Sequence, residues 1–188
     1  MKTKDLAYIA LFAAIVAALG LLPPVPVPGI PVPITAQTLG VMLAGSVLGA
    51  RRGGLALLVF LAIVAAGLPV LSGGRGGLAV FVGPSAGFLY SWPIAAFVVG
   101  LLTQLFWRRY NLGWALLANL IGGIVVIYAI GIPVLSLFAN IPLWTAFTGS
   151  LAFIPGDLVK AGAASVVAVA VHKAYPVIEL PARRATAG

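Results

Sequence analysis

The chain has 188 residues, of which 62% are hydrophobic and only 7% charged, and it contains no cysteine. A water-soluble domain of this size needs far more polar surface, so the composition excludes one and points to a membrane protein; disulfides and thiolate metal sites are excluded as well. The formal net charge of +8 comes from basic residues set mostly in pairs between apolar runs, which is the pattern of membrane-face loops and not of a nucleic-acid groove.

The apolar runs are continuous, not alternating, and recur at the length of about 20 residues that a helix needs to cross a bilayer. Helices are therefore expected over a closed barrel. The predicted architecture is all-α: one polytopic membrane domain over residues 1–188 with six spans at about 6–22, 34–50, 54–71, 87–107, 112–137 and 157–172. Pro133 is expected to bend or end the fifth span. Lys2 and Lys4 ahead of the first apolar run resemble a signal peptide, but the chain downstream is equally apolar, so an uncleaved first span is the reading adopted.

Basic residues set the orientation. Lys2 and Lys4 precede span one, Arg51 and Arg52 separate two from three, Arg108 and Arg109 separate four from five, and Lys173, Arg183 and Arg184 follow six. An even number of spans puts all of them on one side, which the positive-inside rule makes the cytoplasm, with both termini there. Arg75 and Lys160 are left on the outer side. The outer connections are long: a proline-rich stretch at Pro23–Pro33, expected to be stiff and polyproline-like, the glycine-rich Ser72–Gly87 around Arg75, and an apolar, aromatic stretch with Asn140, Trp144 and Phe147. Long loops over a helical bundle suggest a ligand site with a lid on that face.

Asp157 is one of only three carboxylate side chains, with Asp5 and Glu179 near the two ends. It follows Pro155-Gly156 and shares a helix face with Lys160 at i+3. A first-turn acid can simply cap a helix, yet Ser or Asn would cap without a charge, and ionisable groups at membrane helix ends face cavities or pathways. Arg75, inside Gly73-Gly74-Arg75-Gly76-Gly77, fits equally an exposed loop residue and an anchor for a ligand carboxylate. Thr35, Gln37 and Thr38 stand where they can hydrogen-bond a ligand. Thr103, Gln104 and Asn119 suit helix–helix bonding. Tyr90, Trp92 and Trp144 fit either pocket walls or the aromatic belt. Ala10, Ala14 and Ala18 form a small-residue stripe on span one, suited to internal packing or to docking another membrane protein. His172 is too isolated for a metal site. No nucleophile–base pair, carboxylate pair or Walker motif is present, so neither an enzyme nor an ATPase is expected.

Three blocks, VPITAQTLGVMLAG (Val32–Gly45), GGRGGLAVFVGPSAGFL (Gly73–Leu89) and FIPGDLVKA (Phe153–Ala161), fall in order between the spans. Together they resemble the BioY family, the biotin-binding membrane subunits (S components) of energy-coupling-factor transporters. The resemblance covers nearly the whole chain; one departure is Ser85-Ala86, where the pattern has Thr and often Gly. It implies an S-component fold with biotin near the extracellular side under the first outer loop. It also implies a substrate site containing Asp157 and Lys160, and a docking face at Ala10, Ala14 and Ala18 for a transmembrane coupling subunit served by two soluble ATPases. Arg75, Gln37 and Tyr90 complete the candidate substrate-binding set. No cofactor or metal of its own is expected, ATP acting only through the partners; the remaining partner is the lipid bilayer of a bacterial or archaeal cell membrane. A solitary biotin carrier and a ligand-free membrane scaffold are the competing readings.

Overall fold

The computed structural model describes residues 2–178. Glu179, Arg183 and Arg184 lie outside them. Among the described residues eight α-helices form six rods: α1 (Thr3–Leu19), α2 (Gln37–Leu48), α3 (Ala50–Ala65), α4 (Ala86–Leu105), α5 (Leu112–Leu120) continued by α6 (Ile127–Ala139), and α7 (Leu143–Ser150) continued by α8 (Ile154–Ala174). The α4, α5–α6 and α7–α8 rods, the last 32 residues long, are long and apolar enough to cross a membrane. Among the described residues no β-strand occurs, and two isolated bridges, Val25 with Ile34 and Leu71 with Arg75, pin the loops.

Several expected boundaries shift for identifiable reasons. The second helix begins at Gln37 rather than residue 34, because Ile34 pairs with Val25 across two backbone hydrogen bonds of 2.9 and 2.8 Å. The proline-rich segment is thereby doubled back on itself and is not an extended polyproline rod. It turns at Gly29, where φ is +86°. A single residue, Gly49 at φ +82°, separates α2 from α3, a conformation that glycine adopts without steric cost. Arg51 and Arg52 therefore stand in the first turn of α3 and not in a loop.

Neither proline acts as a break. Pro133 lies inside α6, which runs on to Ala139; in a helical bundle, neighbouring groups can re-satisfy the backbone that proline frees. The last rod begins at Leu143, not at Asp157. A turn of 3-10 helix, Leu151–Phe153, joins α7 to α8, and Pro155 sits at the start of α8, where its missing N–H costs nothing. Trp144 and Phe147 are thus helical.

Helix α4 is the centre of the bundle, packed against α2, α3 and α6. In lipid, close backbone approach replaces the hydrophobic drive, so small residues fill the contacts. Between α5 and α6 the chain makes one turn of π-helix, Ile121–Val126. A Cβ on Gly122 would lie 2.4 Å from a Val99 methyl, and one on Gly123 would lie 2.5 Å from the Met42 methyl. Buried polar side chains bridge the rods: the Ser46 hydroxyl donates to Asn119 Oδ1 (2.9 Å), and the Asn119 amide donates to Ser165 Oγ (3.0 Å), joining α2, α5 and α8.

The two ends of the bundle differ. At one, Arg52 pairs with Asp5 at 2.7 Å and donates to the Val177 carbonyl at 2.9 Å. His172 Nε2 donates to the Ser46 carbonyl at 2.7 Å, and its ring packs edge-on against Trp107 and Tyr110. Asp157 stands fifteen residues earlier on α8, roughly 22 Å away along the axis, at the end where the long loops gather.

The tightest approach is at Gly100, where a Cβ would sit 2.2 Å from both Ala50 N and the Gly49 carbonyl carbon. Gly100→Ala must push α4 off the α2–α3 turn, so a loss of at least about 1–3 kcal/mol is expected. Thermal unfolding in detergent checks it: the variant should melt well below the parent, and an unchanged midpoint would refute the close contact.

Candidate ligand-binding site

At the loop-rich end, α2, α4, α6, α8 and the two loops enclose a narrow cavity of about 60 Å³. Its walls are mainly apolar, with Phe88, Trp92 and Phe153 among them, and its polar groups are few and close together. Asp157 is only 4% exposed. One oxygen, Oδ1, receives Lys160 Nζ at 2.9 Å and the Thr38 hydroxyl at 3.4 Å, while Lys160 also donates to Thr38 Oγ1 at 2.9 Å. The other, Oδ2, accepts from the Tyr128 hydroxyl at 2.7 Å. Three rods therefore meet on one carboxylate: α2 through Thr38, α6 through Tyr128 and α8 through Lys160.

The i, i+3 spacing brings Asp157 and Lys160 together as expected from the sequence. A carboxylate offers about four lone-pair positions, and Asp157 has three donors in the described structure, so it retains acceptor capacity towards the cavity. Trp92 adds a complementary feature. It lines the cavity, is 4% exposed, and its indole N–H is buried with no hydrogen-bond partner among the described residues. Buried donors are seldom left unpaired, so an orphan on a cavity wall is a mark of a binding site.

Arg75 reaches the same cavity from the loop after α3. Its Nε donates to the Ser72 carbonyl at 3.4 Å and its Nη1 to Ser85 Oγ at 3.3 Å, long contacts that leave most of the guanidinium donors uncommitted. The glycines around it are required by geometry: Gly73, Gly74 and Gly77 have positive φ, and a Cβ on Gly76 would lie 2.2 Å from the Leu68 carbonyl oxygen.

Gln37 also lines the cavity, but its amide is already committed. Nε2 donates to the carbonyls of Val16 and Val70 (3.0 and 3.1 Å), and Oε1 accepts from Ser72 N–H (3.0 Å). It braces the site with both amide N–H groups used and one lone pair of Oε1 left over.

Tyr90 does not line the cavity. It is exposed on α4, and its hydroxyl donates to the Phe81 carbonyl. Successive helix positions are about 100° apart, so with Leu89 and Trp92 facing inward Tyr90 must face out. Tyr128 and Ser85 are polar wall residues absent from the candidate set; Tyr128 stands in an apolar run, and only its hydrogen bond from α6 to the start of α8 gives it meaning. Ala10, Ala14 and Ala18 lie well away from the cavity on an exposed face of α1, whose opposite face is buried at Ile9, Phe12, Ala13 and Val16.

The BioY family model matches residues 1–177. The chain belongs to the BioY family. The biotin transporter BioY of Rhizobium etli is 56% identical, the match covering 97% of this chain and all of that protein. That of Rhodobacter capsulatus is 48% identical over 92% of this chain and 95% of its own, and the probable biotin transporter BioY of Bacillus subtilis is 44% identical over 93% of each. Among solved structures, the S-component for biotin from an ECF-type ABC transporter superposes with a TM-score of 0.87 at 37% identity, covering 92% of this chain and 95% of that one. These relatives are transporters and not enzymes.

Breaking a buried ion pair from one side leaves an uncompensated charge, a loss of about 3–5 kcal/mol, whereas replacing both partners by apolar groups is much less harmful. Asp157→Asn and Lys160→Met are each expected to lower the melting temperature, and Asp157→Leu combined with Lys160→Met to cost less than their sum. Strictly additive midpoints would mean that the pair is not coupled.

Proposed function

We propose that this chain is the biotin-capturing membrane subunit of an energy-coupling-factor transporter, a six-span protein with both termini in the cytoplasm of a bacterial or archaeal cell. The carrying observation is the Asp157–Lys160 pair held in an apolar cavity beside the unpartnered Trp92 N–H and the loosely held Arg75. Biotin suits that set. Its ureido ring has two N–H donors and a carbonyl, its second ring is an apolar thioether, and its tail ends in a carboxylate. Asp157 accepts from a ureido N–H, and the Lys160 and Arg75 cations serve the ureido oxygen and the tail carboxylate. Trp92 supplies a further donor, and Phe88 and Phe153 bury the rings.

The cavity volume of about 60 Å³ is far below the few hundred Å³ of typical small-molecule pockets. Entry of a bicyclic ligand therefore requires a wall to move. The best candidate is the Val32–Thr35 segment, which covers the cavity from outside any helix and is held by the Val25–Ile34 bridge and by burial of Val32. No nucleotide motif is present in the sequence, so turnover depends on partner subunits: a transmembrane coupling protein seated on the α1 face of Ala10, Ala14 and Ala18, and two ATPases behind it. That alanine face is turned away from the bundle, which supports a docked partner over a solitary carrier.

A thermal-shift screen of the purified chain with a panel of vitamins tests the ligand. Biotin should raise the midpoint, since a ligand at a hundred times its Kd adds about 2.7 kcal/mol, and the other vitamins should not. No shift with biotin would sink the proposal. Removing one partner of a charged hydrogen bond costs about 1.5–3 kcal/mol, so Asp157→Asn should weaken biotin binding by about 10-fold to 100-fold, measured by titration. Tyr128→Phe, which deletes the donor to Oδ2 but leaves the charge, should weaken it less.

A further inference from the structure

A second cavity opens on the outer surface of the bundle, between α3 and α4. It is a groove of about 440 Å³ lined by Arg51, Gly54, Leu55 and Leu58 on α3 and by Pro93, Ile94 and Phe97 on α4. The four α3 residues are spaced at i, i+3, i+4 and i+7, a single helix face. One cation therefore stands at the end of an apolar trough that continues for roughly 10 Å along the helix. Leu58, Ile94 and Phe97 are 52%, 49% and 46% exposed, so the trough opens outward.

The Arg51–Arg52 pair fits the positive-inside pattern of this end of the bundle, but only one of the two is engaged by the protein. Arg52 is bound to Asp5 and to the Val177 carbonyl. Arg51 is exposed and has no hydrogen bond or ion pair among the described residues. It also occupies the first turn of α3, where the helix dipole disfavours positive charge. The trough exists because Gly54 has no side chain and Pro93 faces it: a Cβ on Gly54 would meet the Pro93 carbonyl oxygen at 3.4 Å and Phe97 Cβ at 3.5 Å. Those are ordinary contacts, so a Cβ at this position narrows the groove without forcing the helices apart.

We propose that this groove holds one anionic phospholipid, with its phosphate against Arg51 and one acyl chain along Gly54, Leu58, Ile94 and Phe97. Charge complementarity selects the headgroup, and the apolar trough selects an amphiphile over a free anion. The site is separate from the Asp157 cavity, lies on the other side of α4, and does not depend on which vitamin is carried.

Native mass spectrometry of the full-length chain, titrated with phosphatidylglycerol and phosphatidylcholine of identical acyl chains, tests this. A single phosphatidylglycerol should be retained about fivefold more strongly, the worth of one basic residue at a membrane surface. Arg51→Gln should abolish the preference and Arg51→Lys keep it. Gly54→Leu should reduce retention of both lipids. Biotin-induced thermal shifts should be unchanged in all three, which separates loss of the groove from loss of folding. Equal retention of the two lipids by the parent chain overturns the proposal, and is the result expected if the groove is reserved for a partner's helix or filled by any bulk lipid. A preference that survives Arg51→Gln, or equal binding of glycerophosphoglycerol without acyl chains, overturns it as well.

Discussion

Placing an acid and a base inside an apolar bundle is the constraint on which the rest of this structure depends. Each charge taken from water alone costs several kcal/mol, and attraction between them repays this only when geometry is good and the remaining donors and acceptors are met. Here the conditions are satisfied by recruitment. Lys160 lies one helical turn from Asp157, Thr38 bridges the two from α2, and Tyr128 caps the second oxygen from α6. The pair is therefore both the chemical centre of the cavity and a clamp joining three rods. Its net charge is close to zero, so a ligand with matched donors and acceptors can exchange hydrogen bonds with it without bringing an unbalanced charge into the membrane.

That clamp works only if the rods approach closely enough, and this is the task of the glycines and alanines that make up so much of the chain. Gly45 and Gly100 let α4 meet α2 and the α2–α3 turn, and Gly122 and Gly123 bring the π-turn against α4 and Met42. On α8 the face that starts at Asp157 continues through Ala161, Ala164, Ser165 and Ala168, all buried. It ends at His172 on the Ser46 carbonyl. Small and hydroxylated residues along that line replace hydrophobic drive with proximity and hydrogen bonds, as membrane packing requires. A bulky side chain in the middle would displace the carboxylate at the end.

Much of this was legible in the residues. Continuous apolar runs gave the number of rods, the rarity of carboxylates singled out Asp157, and helix periodicity put Lys160 beside it. What failed, failed for local reasons. Pro133 was expected to bend or end its span and Pro155-Gly156 to precede the last one, although Pro133 sits inside a rod and Pro155 at a helix start, two contexts in which proline is tolerated. Tyr90 was weighed as pocket wall or belt aromatic and then placed in the candidate set, whereas its helical phase turns it outward. Tyr128 was invisible because its partner is 29 residues away and the packing that unites them has no local signature. The resemblance to a known family pointed to Asp157 and Lys160 but carried no information about Tyr128 or the hydrogen bonds of Gln37.

Gln37 shows how a side chain that lines the cavity can also tie distant segments together. Its three hydrogen bonds run to Val16 on α1, to Val70 after α3, and to Ser72, three residues before Arg75. At the same place α1 ends at Gly20, where a Cβ would lie 2.3 Å from the Val70 carbonyl oxygen and 2.9 Å from Gln37 Nε2, so nothing larger than hydrogen fits. The helix that displays the alanine face and the loop that carries the cavity's second cation are therefore fastened to the same side chain of α2. Any tilt of α1 must either carry the Arg75 loop with it or break buried hydrogen bonds, each of which costs more to leave unmade than it contributes when formed. The first course is the less costly, and it makes the α1 face and the cavity mouth parts of one mechanical unit.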